Sequence, residues 1–147
     1  LSDGIVHAGL IARWLDGRWA GVLIEGPSGC GKSDLALRSL GEGFRLVADD
    51  RVIVWTSGGE VYGRAPPTLA GAMEVRGVDV LVMDALRFAR IALIARSGDP
   101  ERIPEPVSVR LAGAAIPLVL LDFRHASAPA KLSRALALFA AGPNRRI

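Results

Sequence analysis

A chain of 147 residues, half of them apolar, suits one domain around a single core, and its 17 glycines and 9 prolines fit short turns rather than disorder. The formal charge of +3 is mild, and no basic stripe is interleaved with aromatics, which argues against nucleic-acid binding. One cysteine, Cys30, excludes an intrachain disulfide and fits a reducing cytoplasm, and no apolar run reaches the ~20 residues of a membrane span.

Residues 5–12 and 19–25 read as strands joined by the hairpin signal Asp16-Gly17. Residues 26–31 form a glycine-rich loop. A short helix over 33–40 turns Leu35, Ala36 and Leu40 inward and ends at Gly41 and Gly43. A strand over 44–48 rises into Asp49-Asp50. Residues 52–56 and 60–62 predict a second hairpin around Ser57-Gly58-Gly59. Ala65-Pro66-Pro67 forces an extended break, and 68–73 reads as a helical turn. Strand candidates follow at 78–82 and 91–95. The charged, proline-bearing stretch 97–106 reads as a mobile loop. Residues 107–111 and 116–121 make a late strand pair. A helix runs from 129 to about 140, with Ser127 as N-cap and Leu132, Leu136 and Phe139 as its inner stripe. The pattern predicts a single α/β domain over 1–147, with a mixed β-sheet, flanking helices and no internal repeat.

Gly26-Pro27-Ser28-Gly29-Cys30-Gly31-Lys32-Ser33 matches G-x-x-x-x-G-K-[ST], with a strand before it and a helix after it. Glycines let such a loop fold its N–H groups around phosphate oxygens, and the helix start adds partial positive charge. Lys32 is expected to neutralise the β and γ phosphates and to face solvent without them. Ser33 is expected to offer its hydroxyl to Mg²⁺. The same nest is expected to take inorganic phosphate. A carboxylate is needed nearby, to hold Mg²⁺ or to take a proton, and Asp49-Asp50 supplies two. Strand alternation predicts that they point to opposite faces, with one towards the nucleotide; the alternative is a strand-ending turn paired with Arg51.

Gly26 to Leu37, then Arg45 to Val52, Ala65-Pro66-Pro67 and Glu74-Val75-Arg76-Gly77 together resemble the catalytic domain of the HPr kinase/phosphorylase family. The resemblance implies a P-loop fold related to phosphoenolpyruvate carboxykinase. It also implies ATP-dependent phosphorylation of a serine on an HPr-like phosphocarrier of the phosphotransferase system, with ATP and Mg²⁺ bound and hexamers formed. By motif, Asp50 becomes the proton acceptor and Lys32 the P-loop lysine. Ser33 and Glu74 become Mg²⁺ ligands, with Asp49 as the further carboxylate at the metal. His7 resembles the active-site histidine of the family, and Arg102 its catalytic arginine. Each has a plainer alternative: a surface salt bridge of Glu74 to Arg76, a solvated loop charge for Arg102, a structural histidine for His7. His125 reads as a capping or structural residue and Cys30 as a passive loop position.

The sequence departs from the family in four places. The hairpin between His7 and the loop is longer, the separate N-terminal domain is not part of the sequence, and the stretch between Glu74 and Arg102 is shorter. Ile116-Pro117-Leu118-Val119 also lacks the basic residues that the resemblance ties to dephosphorylation. This short form resembles the truncated versions of α-proteobacteria, where the role looks regulatory, and weak phosphorylase activity is the most it predicts. Two other functions fit a P-loop: a small-metabolite kinase, although no arginine-rich lid is visible, and a nucleotide-gated binding module without transfer.

Overall fold

The computed structural model describes residues 4–140. Its elements run β1 (Gly4–Val6), β2 (Ala8–Leu15), β3 (Arg18–Glu25), α1 (Lys32–Ser39), β4 (Arg45–Ala48), β5 (Val52–Ser57), β6 (Glu60–Arg64), β7 (Ala72–Val75), β8 (Asp79–Val82), β9 (Ala89–Ser97), β10 (Val107–Leu111), β11 (Ala114–Leu121) and α2 (Ala128–Ala140). Among the described residues no helix is long and apolar enough to cross a membrane.

Nine strands form one curled mixed sheet in the order β1-β5-β6-β9-β3-β2-β4, with β11 and then β10 added beside β9. On one edge β9 changes partner along its length. Its first residues pair with β6 and its last four with β11. On its other edge β9 runs parallel to β3. The pairs β3–β9 and β9–β11 are therefore both parallel, and all three strands end on the same side of the sheet. In open α/β sheets ligands bind at the carboxyl ends of parallel strands, and here the glycine-rich loop follows β3.

The central strands are buried on both faces, which is why β2, β3 and β9 read as nearly continuous apolar runs. Ile11, Val22, Ile24 and Leu93 join Leu35, Phe123, Leu132 and Leu136 in a core on the helix side. Leu10, Leu23, Val54, Ile91, Ile94 and Leu118 form a second core inside the curl of the sheet. Each fully buried side chain of this size contributes about 1.5–3 kcal/mol. Helix α1 has only eight residues, too few to persist alone. The burial of Leu35 and Ala36 holds it, so the loop at its start inherits its position from the core.

Most predicted elements are present within a residue or two, with four differences. The expected strand over 5–12 is two strands broken at His7: β1 pairs with β5, while β2 runs on to Leu15 between β3 and β4. Residues 68–73 are not one helical turn: a 3-10 turn covers Pro67–Leu69, while buried Met73 lies on β7. β7 and β8 pair with each other in a small sheet of their own. Ser127 does not cap α2 with its side chain. Its hydroxyl lies 2.7 Å from His125 Nδ1, which also accepts the Ser127 N–H, so His125 braces the turn before the helix.

Candidate active site

The loop between β3 and α1 depends on glycine where side chains would be strained or would collide. Gly29 has φ +82° and Gly31 φ +101°. A Cβ on Gly26 would lie 2.7 Å from Cys30 Sγ and 2.8 Å from Ser97 Cβ. Gly31 is the N-cap of α1 and brings no side chain, so the first-turn N–H groups have no side-chain cap and suit an anion. Lys32 does not simply face solvent as expected. Its Nζ donates to Gly26 O at 2.8 Å and to Pro27 O at 3.1 Å, folding the ammonium across the loop. Cys30 is half-buried and packs against the helix-side core.

The adjacent aspartates have different surroundings. Asp49 is 7 % exposed; its Oδ1 accepts from Ser33 Oγ at 2.8 Å and its Oδ2 from the Glu74 N–H at 3.2 Å. Asp50 is exposed, and its nearest ionic neighbour is Arg51 Nε at 3.8 Å. Strand alternation fails at this pair, because Asp50 has φ +72° while its carbonyl accepts the Ala8 N–H at 3.2 Å. The left-handed residue turns the chain, and both carboxylates line the same cleft.

That cleft has a volume of about 630 Å³, within the range of small-molecule sites. Ser28, Gly29, Gly31, Lys32 and Ser33 line it, facing Glu74 across the opening. No ion pair joins Glu74 to Arg76 among the described residues; both face the cleft. Hard oxygen donors therefore surround it: the Ser33 hydroxyl and the carboxylates of Asp49, Asp50 and Glu74. Among the described residues no group of three or more His, Cys, Asp or Glu side chains is placed to hold a metal ion by itself. This donor set fits Mg²⁺, which takes one or two carboxylates and completes its shell with phosphate oxygens and water.

Two residues singled out by resemblance are not in the cleft lining. His7 is exposed at the break between β1 and β2, one residue from the Ala8 N–H that bonds Asp50. Arg102 is exposed in the loop over 98–106. Asp34 and Arg76, which belong to the motifs but were given no role, also line the cleft, and one charged lining residue, Arg124, lies outside every motif. Arg124 follows β11, and its Nη2 donates to Gly29 O. The signal that could have found it is Asp122-Phe123-Arg124 directly after an apolar strand, once that strand is known to run parallel to β9.

Burial raises the Asp49 carboxyl above its ordinary value; the hydrogen bonds from Ser33 and the Glu74 N–H oppose this, and the charges of Asp50 and Glu74 add to it. A carboxyl with a raised folded-state pKa favours folding most below its unfolded value and loses that contribution as pH rises through the folded one. Urea denaturation is therefore expected to show a component of stability that declines from about pH 4 towards neutrality. Asp49→Asn should remove it, and an unchanged pH profile in the variant would show that burial does not govern this carboxyl.

The family profile of the HPr Serine kinase C-terminal domain matches residues 7–90. Over 66 residues the chain is 44% identical to HPr kinase/phosphorylase of Clostridium perfringens, a stretch that is 45% of this chain and 22% of that protein. Over 62 residues it is 50% identical to HPr kinase/phosphorylase of Brevibacillus brevis, covering 42% of this chain and 20% of that one. The chain thus spans about a fifth of the length of the curated relatives it matches. The solved structure of the Hpr(Ser) kinase/phosphatase from Coxiella burnetii aligns with a TM-score of 0.77 at 22% identity, over 95% of this chain and 99% of that one, so the fold is shared. The phosphate loop, the paired aspartates and Glu74 all fall within the matched residues, and the chain belongs to the HPr serine kinase C-terminal domain family.

Proposed function

We propose that this domain transfers the γ-phosphoryl group of ATP to a serine of an HPr-like phosphocarrier protein. The observation that carries this is the division between the two aspartates. Asp49 uses both oxygens on Ser33 and the Glu74 backbone, whereas Asp50 presents a largely free carboxylate to the same cleft. Nucleotide phosphates would lie on the N–H groups of the loop, with Lys32 moving from Gly26 O and Pro27 O to the β and γ oxygens. A serine hydroxyl is a weak nucleophile and needs a base. As its oxygen bonds to the γ phosphorus, Asp50 takes its proton, the bond to the bridging oxygen breaks, and ADP leaves with the electron pair. Ser33, Asp49 and Glu74 would hold Mg²⁺, which supplies charge neutralisation at the β and γ phosphates.

The test incubates the full chain with labelled ATP, Mg²⁺ and a panel of HPr-like proteins. Label on a partner serine is expected. Label only on a small metabolite, or tight ATP binding without transfer, would overturn the proposal in favour of a metabolite kinase or a nucleotide-gated module.

The reverse reaction is expected to be weak. In it, inorganic phosphate attacks the phosphoserine phosphorus, pyrophosphate forms, and the serine oxygen takes back the proton from Asp50. A second phosphate then needs its own cations. Leu118 is buried in the second core, Val119 packs against the helix-side core on the other face, and Arg110 donates to Gly113 O at 2.6 Å in its own hairpin. Pyrophosphate release from serine-phosphorylated partner in millimolar phosphate should therefore fall far below the forward rate. Comparable rates would show that other cations of the cleft hold the second phosphate.

A further inference from the structure

We infer that Arg124 is a catalytic residue of this cleft, the cation that meets the phosphoryl oxygens during transfer; the inference rests on the phosphoryl-transfer function proposed above. Arg102 lies outside the cleft lining, so the lining arginines are the candidates for a second strong cation.

Position comes from topology. Because β3, β9 and β11 are linked by parallel pairings, the turn after β11 emerges beside the phosphate loop after β3. A Cβ on Gly31 would lie 3.7 Å from Arg124 Cγ, so the arginine stem crosses the loop against its last glycine. The guanidinium then reaches Gly29 O. The turn itself is fixed. Asp122 Oδ1 accepts the Arg124 N–H at 3.1 Å. Arg38, in the last turn of α1, donates to Phe123 O and, at 3.3 Å, to His125 O. The segment bearing Arg124 is thus fastened to the helix whose first turn bears Lys32 and Ser33.

Charge points the same way. A guanidinium has five N–H donors, and Gly29 O is the acceptor Arg124 finds among the described residues. Asp34, Asp49, Asp50 and Glu74 line the same cleft, yet none pairs with it; Asp34 pairs with Arg38 instead, at 2.8 Å. Arg76 is also in the lining, but it lies on the exposed turn after β7 with no hydrogen bond to the loop among the described residues. Arg124 is therefore the anchored cation with donors to spare. In transfer, charge spreads over the three equatorial oxygens of the phosphoryl group, and a planar fork can hold two of them. Arg124 donates hydrogen bonds and exchanges no proton; the proton goes to Asp50.

The experiment compares wild type, Arg124→Gln and Arg124→Lys. Arg124→Gln should lower kcat for HPr phosphorylation by on the order of 10³, with the Kd for ADP within about threefold of wild type. Aluminium fluoride should tighten ADP binding to wild type and fail to do so in Arg124→Gln. Arg124→Lys keeps the charge without the fork and should recover only part of the rate. A kcat within a few-fold of wild type in Arg124→Gln overturns the inference. So does a loss of ADP affinity as large as the loss of rate, which would make Arg124 a brace for Gly29. If wild type phosphorylates no HPr-like protein, the proposed function fails, and the fluoride measurement alone decides: equal tightening in wild type and Arg124→Gln, or none in wild type, overturns the role of Arg124.

Discussion

Lys32→Ala is expected to lower phosphoryl transfer by on the order of 10³ or more while the domain stays folded. The ammonium is held between Gly26 O and Pro27 O, so it is poised over the nest formed by the glycine-rich turn. Alanine removes that charge from the place where the leaving and migrating phosphates would carry theirs. The structural cost is small. Pro27 O keeps the Cys30 N–H at 3.2 Å, and Gly26 O loses one partner, which costs about 1 kcal/mol. The helix is held by Leu35 and Ala36, which the substitution does not touch. Lys32→Arg should not restore the rate, because a wide planar fork does not replace a compact ammonium in so close a loop. Transfer assays paired with urea denaturation separate the two effects. Near-normal transfer by folded Lys32→Ala would show that the loop is not where the transferred phosphate binds.

Local chemistry made much of this molecule readable. The phosphate loop follows from glycine positions that demand positive φ, and the hairpin turns at Asp16-Gly17 and Gly58-Gly59 follow for the same reason, all four residues lying at φ between 50° and 84°. The inner stripe of α2 follows from helical spacing, and Leu132 and Leu136 are fully buried. Long-range pairing was not readable. Nothing local tells a strand at 116–121 that it will run parallel to one at 89–97, since that choice is made by closure of the whole core. With it went Arg124, whose value depends on where β11 ends. Asp50 shows the same limit on a smaller scale. Alternation places it opposite Asp49, but the bond from the Ala8 N–H and a left-handed backbone bring it round to the same cleft. Arg102 is a different case: its role came from the resemblance alone, and the residue lies on an exposed loop outside the cleft lining.

Asp50→Asn is expected to lower kcat by about 10²–10⁴ while ATP affinity changes little, the signature of a lost proton acceptor. The fold should tolerate the change. Asparagine adopts the left-handed region at least as readily as aspartate, the side chain is 69 % exposed, and the contact with Arg51 at 3.8 Å is a loose surface pair worth little. The amide keeps the size of the carboxylate and one acceptor oxygen, but cannot take up the serine proton. Asp49→Asn should behave differently, because its two oxygens are committed to Ser33 and the Glu74 N–H. Its amide sets an N–H against one of those two donors and removes a charge from the oxygen donors suited to Mg²⁺. The expected result is a raised KM for ATP and a higher Mg²⁺ requirement, with a smaller effect on kcat at saturation. Steady-state kinetics at several Mg²⁺ concentrations, run on both variants, distinguishes the two roles. If the kcat loss belongs to Asp49→Asn and the Mg²⁺ dependence to Asp50→Asn, the roles are reversed. Asp50 would then hold the metal at the mouth of the cleft, and the buried Asp49, its carboxyl already raised by burial, would be the base.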